Sequence, residues 1–169
     1  AGAVENIERW CWWTPAQLSL LELADRLSRV ILIGGNGTGK TVILDEFARK
    51  TAKEHPSENV IFAIQQPDDC RPLLQLEMEV KHENLTNVSV VTFENLSELT
   101  NANLTSTTVC IDEINMEGAD IEHTNVKPED LNAIQAKSLW IVIRDTDQEE
   151  RNPEEYLREQ FPDWVIINL

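Results

Sequence analysis

The chain has 169 residues, of which 41% are hydrophobic and 26% charged, with 14 Lys and Arg against 30 Asp and Glu for a net charge of −16. That length and balance suit one globular domain with a real core and exclude an intrinsically disordered chain. The acidity argues against a broad nucleic-acid-binding face on this piece, since phosphate binding draws on Lys and Arg.

In chain order, residues 1–13 form a Trp-rich extension containing "RWCWW". Its rings are expected to pack on the domain, with a surface that meets another partner as the alternative. Residues 14–169 are read as the domain itself. Thr14-Pro15 starts a helix, with Thr as N-cap and Pro at the first position, and Leu18, Leu21, Leu23 and Leu27 supply its apolar side. Short Val- and Ile-rich runs then recur at 30–34, 59–65, 87–93, 107–112, 139–144 and 163–168. Most are almost continuously apolar, as strands buried on both faces of a parallel sheet are. Helical patterns alternate with them. Val42, Ile43, Phe47 and Ala48 recur after the first run, and "NPEEYLREQF" precedes the last. Such alternation predicts a doubly wound α/β domain.

No run reaches the ~20 apolar residues of a membrane helix, and no leader pattern is visible at the N-terminus. Cys11, Cys70 and Cys110 are odd in number and widely spaced. They are expected to be free thiols in an intracellular, reducing compartment. His55, His82 and His123 stand alone in polar segments and are read as surface residues. Asn36, Asn84, Asn87, Asn95 and Asn103 open N-x-Ser/Thr triplets, which an Asn- and Thr-rich chain produces by chance.

The stretch "GGNGTGKT" carries the chemistry. Gly34, Gly35, Asn36, Gly37, Thr38, Gly39, Lys40 and Thr41 fit G-x-x-x-x-G-K-[ST] at every position. The glycines let backbone N–H groups turn in around phosphate oxygens, and the following helix points its positive end at them. Lys40 reaches the β- and γ-phosphates, and the Thr41 hydroxyl binds Mg²⁺. A triphosphate site also needs an acid. "TTVCIDE" is an apolar strand ending in Asp112, placed to hold the Mg²⁺ shell, and Glu113, placed to orient or deprotonate the attacking water. Both motifs fall at the carboxyl ends of strands, where open α/β sheets bind ligands.

The loop and "CIDEIN", with "TPAQLSLLE" upstream, "NVSVVTFENL" between and "LWIVIRDTDQ" downstream, together resemble the first RecA-like domain of UvrD-type superfamily 1 helicases. The resemblance covers roughly residues 14–169. It implies a P-loop NTPase fold, a RecA-like three-layer α/β/α sandwich with a mainly parallel sheet, and ATP with Mg²⁺ as ligands. It gives Gln17 the reading of the adenine edge and Gln148 the sensing of the γ-phosphate. It also implies a second RecA-like domain as partner, which supplies arginine fingers and half of a nucleic-acid track and is absent from this chain.

The departures are specific. Arg144 replaces the glycine before Asp145-x-x-Gln148, and "EERNPEEY" follows without a base-stacking aromatic. Val42 stands where many members carry an Arg that stacks on adenine. No nucleic-acid-binding subdomain fits between Phe93 and Thr108. "QQPDDCRP" places two acids where the family touches the nucleic-acid backbone.

The expectation is therefore Mg-ATP binding with slow hydrolysis, and weak nucleic-acid binding by this acidic fragment. Arg144 and Arg151 are read as surface charges paired with nearby acids. The alternative is a signalling or scaffold NTPase that uses the same loop as a switch. A small-molecule kinase would need lid arginines, and residues 115–137 hold no basic cluster.

Overall fold

A computed structural model of the chain describes residues 15–23, 26–34, 39–65, 80, 84–93, 96–114, 127–143 and 153–169, apart from the side chains of 16–18, 21, 65, 113, 114 and 153. The Trp-rich extension, Gly35 to Thr38, Gln148, Arg144, Arg151, Cys11, Cys70, His82, His123, Asn95 and the acids of "QQPDDCRP" lie outside these residues.

The apolar runs form strands as expected. They are β1 (Arg29–Ile33), β2 (Asn59–Gln65), β3 (Val88–Phe93), β4 (Leu104–Ile114), β5 (Ala136–Ile143) and β6 (Val165–Asn168). They make one six-stranded sheet in the order β3-β2-β4-β5-β1-β6. Every pairing is parallel. The chain is thus an α/β protein with helices on both faces of an all-parallel sheet.

The near-continuous hydrophobicity has its reason in that layering. In β1, Val30 and Leu32 face one layer while Ile31 and Ile33 face the other. One face is covered by α1 (Pro15–Leu23), through Leu20, and by α2 (Lys40–Glu54), through Ile43, Leu44, Phe47, Ala48 and Ala52. The opposite face is covered by α3 (Ser97–Thr100), α4 (Pro128–Asn132) and α5 (Pro153–Gln160), through Leu99, Leu131, Leu157 and the flanking Phe161.

The four crossovers that run through described helices share one hand. The connection from β1 to β2 crosses the α2 face in one direction, and those from β3 to β4, β4 to β5 and β5 to β6 cross the other face in the reverse direction. That uniformity is what right-twisted strands impose on parallel connections. It has a functional consequence. The chain leaves β1 on one face and leaves β4 and β5 on the other, so the carboxyl ends of these strands bound a topological switch point.

Three expectations are corrected. Val42 is 54% exposed and Leu23 46% exposed, so neither belongs to an apolar side that packs inward. The buried stripe of α2 runs through Ile43, Leu44, Phe47, Ala48, Thr51 and Ala52, and among the described side chains of α1 the buried leucine is Leu20. Strand β4 starts at Leu104, earlier than the apolar run at 107. There Leu104 pairs with Ala136 and Thr108 with Ser138, so a bulge takes up the extra residues between them.

Asn87 joins two elements through its side chain. Its Nδ2 donates to the carbonyls of Ala52 at 3.0 Å, His55 at 3.3 Å and Glu58 at 2.9 Å. These carbonyls belong to the end of α2 and the turn into β2, which have no helical partners of their own. His55 is the C-cap of α2 and half-buried, not a plain surface residue.

Candidate functional site

Two glycines mark the ends of the loop between β1 and α2. Gly34 has φ 151° and Gly39 has φ 82°, ψ 22°. A Cβ at either position would clash with the backbone, which is why glycine stands there. Gly39 is the N-cap of α2 and offers no side-chain cap to the helix. The first N–H groups of α2 therefore have no side-chain acceptor from their own cap.

Lys40 opens α2 and is 91% buried, with its Nζ donating to the carbonyl of Gly34. Its apolar stem is packed away while its ammonium spans the two ends of the loop. Thr41 follows. Its Oγ1 donates to Asp112 Oδ1 at 3.1 Å, a contact between residues 71 apart in sequence. Asp112 is buried near the carboxyl end of β4, paired with Ile64 of β2. β5 separates β4 from β1, so Thr41 bridges the width of one strand to reach it.

Lys40, Thr41, Asp112 and both marker glycines are thus brought together at the switch point. Glu113 follows Asp112 in β4 and Gln17 lies in α1, but both side chains fall outside the described residues. So do Gly35, Asn36, Gly37, Thr38 and Gln148.

A hydroxyl and a carboxylate side by side fit Mg²⁺. That ion is usually held by one or two protein oxygens plus substrate phosphates, not by a full protein cage. No group of three His, Cys, Asp or Glu that could hold a metal occurs among the described residues, and a magnesium site of this kind needs none.

Next to the pair lies Cys110, a free and fully buried thiol. Burial pushes its pKa up, and the carboxylates of Asp45 and Asp112 push it further. It is a neutral, inert core group and no nucleophile. Asp45 was not foreseen from the sequence. It lies one helical turn after Thr41, and Arg49, buried and one turn further on, holds its Oδ2 at 2.7 Å. Thr41, Asp45 and Arg49 recur at i, i+4 and i+8 in a helix rich in other charged residues, so their spacing alone did not single them out.

A surface depression of about 430 Å³ lies elsewhere, walled by Glu154, Glu155, Arg158 and Glu159 of α5. Its wall carries three acids and belongs to the sheet face opposite α2, so it offers little to an anionic ligand. No helix among the described residues is long and apolar enough to cross a membrane. No protein-family model and no curated protein sequence matches the chain.

Proposed function

We propose that the chain is a RecA-like P-loop domain that binds ATP with Mg²⁺ between the β1–α2 loop and the end of β4. The observation that carries this reading is the hydrogen bond from Thr41 to Asp112. It joins the two sequence motifs that a nucleoside triphosphate site requires, at the place where parallel α/β sheets hold ligands.

The roles follow from the chemistry. The loop amides and the start of α2 receive the phosphates. The Lys40 ammonium leaves the Gly34 carbonyl and pairs with β- and γ-phosphate oxygens. The Thr41 hydroxyl and the Asp112 carboxylate would hold Mg²⁺. When bound, that ion neutralises phosphate charge as it builds up in phosphoryl transfer. Glu113 is assigned to orienting the attacking water and taking its proton. Gln17 is assigned to the adenine edge and Gln148 to the γ-phosphate, both from the resemblance to the helicase class.

Where no arginine finger reaches the site, turnover should be slow, since such a finger is worth ~10³–10⁵ in rate. Single-turnover hydrolysis tests the assignment. Glu113→Gln should keep ATP affinity within about twofold and cut the rate by at least ~10²-fold, the usual share of a general base. Equal rates would remove Glu113 from the base role.

The net charge of −16 favours one alternative, a nucleotide switch without a nucleic-acid track. Hydrolysis that does not respond to DNA or RNA would select it.

A further inference from the structure

Helix α2 lays a polar stripe along β4. Thr41, Asp45 and Arg49 follow each other at i, i+4 and i+8, so they share one face of the helix. Asp112 and Cys110 are two apart on β4 and share one face of the sheet. Thr41 meets Asp112 at 3.1 Å, so Asp45 sits one turn, about 5.4 Å, further along the same seam. The Asp45 side chain is 13% exposed and that of Arg49 5%. The Arg49 guanidinium holds Asp45 Oδ2 and Glu46 Oε1, each at 2.7 Å. Two acids and one base leave this triad with a net charge of −1 behind the Thr41–Asp112 pair.

A buried charge is costly unless paired, and the same carboxylate could be replaced by an apolar residue at little cost in packing. Its place beside the candidate cation position gives it a use. We propose that Asp45 is a positioning residue whose charge, tempered by Arg49, sets how strongly Mg²⁺ promotes ATP binding at Thr41 and Asp112. The inference rests on the Mg-ATP reading of the site. Asp45 touches neither nucleotide nor ion; it acts through the field along the seam. A negative charge there attracts the divalent cation and opposes the bare ATP anion, so it widens the gap between metal-bound and metal-free binding.

The experiment measures ATP affinity of the full chain by calorimetry, in excess Mg²⁺ and in excess EDTA, and takes the ratio. Asp45→Asn brings the triad to neutral and should lower the ratio roughly three- to tenfold. That is the fully screened, lower limit for one unit charge acting on a divalent ion roughly 10 Å away, and partial burial of the triad raises it. Arg49→Met brings the triad to −2 and should raise the ratio by a similar factor. The double variant restores −1 and should return the ratio to within about twofold of the wild type.

Opposite signs for the two single variants are the signature of charge, because a packing defect would weaken binding in both solutions and shift both variants alike. Shifts of the same sign, or no shift in either, overturn the inference while leaving the Mg-ATP reading in place. Wild-type protein whose ATP binding does not respond to Mg²⁺ overturns both. Thermal unfolding checks each variant, and Arg49→Gln replaces Arg49→Met if the latter does not fold. If neither folds, Asp45→Asn decides: a lowered ratio supports the inference and an unchanged one overturns it.

Discussion

Lys40→Ala should weaken ATP binding by about 2–5 kcal/mol, or roughly 30- to 5,000-fold, the range for removing one partner of a desolvated charge pair. Lys40 is buried and its Nζ is already directed into the loop, on the Gly34 carbonyl. Little side-chain entropy remains to be lost when it turns to a phosphate, so the charge is delivered at low cost. Lys40→Met separates the two duties of the residue. It keeps most of the apolar stem and removes the ammonium, so it should fold as the wild type does and bind as Lys40→Ala does. Fold stability should change little in Lys40→Ala, by about 1 kcal/mol for the lost hydrogen bond. Calorimetry with thermal unfolding on the same samples reads both quantities. Unchanged ATP affinity in Lys40→Ala would take the β1–α2 loop out of the account.

The largest effect on stability is expected at Trp140. Its side chain is fully buried in β5, with Val30 of β1 and Cys110 of β4 as strand partners. Its ring stacks on Phe47 of α2, with centroids 3.8 Å apart and planes 14° from parallel. Its Nε1 donates to the Leu27 carbonyl at 3.3 Å, which ties the segment after α1 to the sheet. Trp140→Ala leaves a large cavity beneath the helix that presents Lys40 and Thr41. The expected cost is about 3–5 kcal/mol, a large share of the ~5–15 kcal/mol that holds an ordinary domain folded. The midpoint of thermal unfolding should fall by roughly 6–20 °C for a chain of this size. Trp140→Phe keeps an aromatic partner for Phe47 and loses only the N–H bond and some volume, so it should cost markedly less. Equal losses in the two variants would mean that the stack with Phe47 contributes little.

The strands were legible because a parallel sheet covered on both faces leaves no polar side. "RVILI" reads as a strand without regard to period, and Val30 to Ile33 are all buried. The start of β4 was hidden because "LTST" is polar and bulged, with Thr105 and Ser106 exposed at the rim of the sheet. Val42 looked like a core residue because one apolar side chain carries no phase; only its neighbours Ile43 and Leu44 define the buried stripe. The contact between Thr41 and Asp112 was legible as two motifs, since each has a fixed place relative to its strand. Asp45 and Arg49 were not, because a polar i, i+4 pair on a helix is usually a solvated surface pair. Only the packing of α2 on β4 turns it inward. Asn87 was masked in a similar way: its triplet reads as a chance sequon, and its three carbonyl partners come from another element.

The central claim is that Lys40, Thr41 and Asp112 form a magnesium-dependent ATP site. The most direct test is a calorimetric titration of the chain with ATP and with GTP, each with and without Mg²⁺. The account predicts saturable binding that is tighter with Mg²⁺ and tighter for ATP, the preference assigned to Gln17. Binding that ignores Mg²⁺, or no binding of either nucleotide at millimolar concentration, would contradict it.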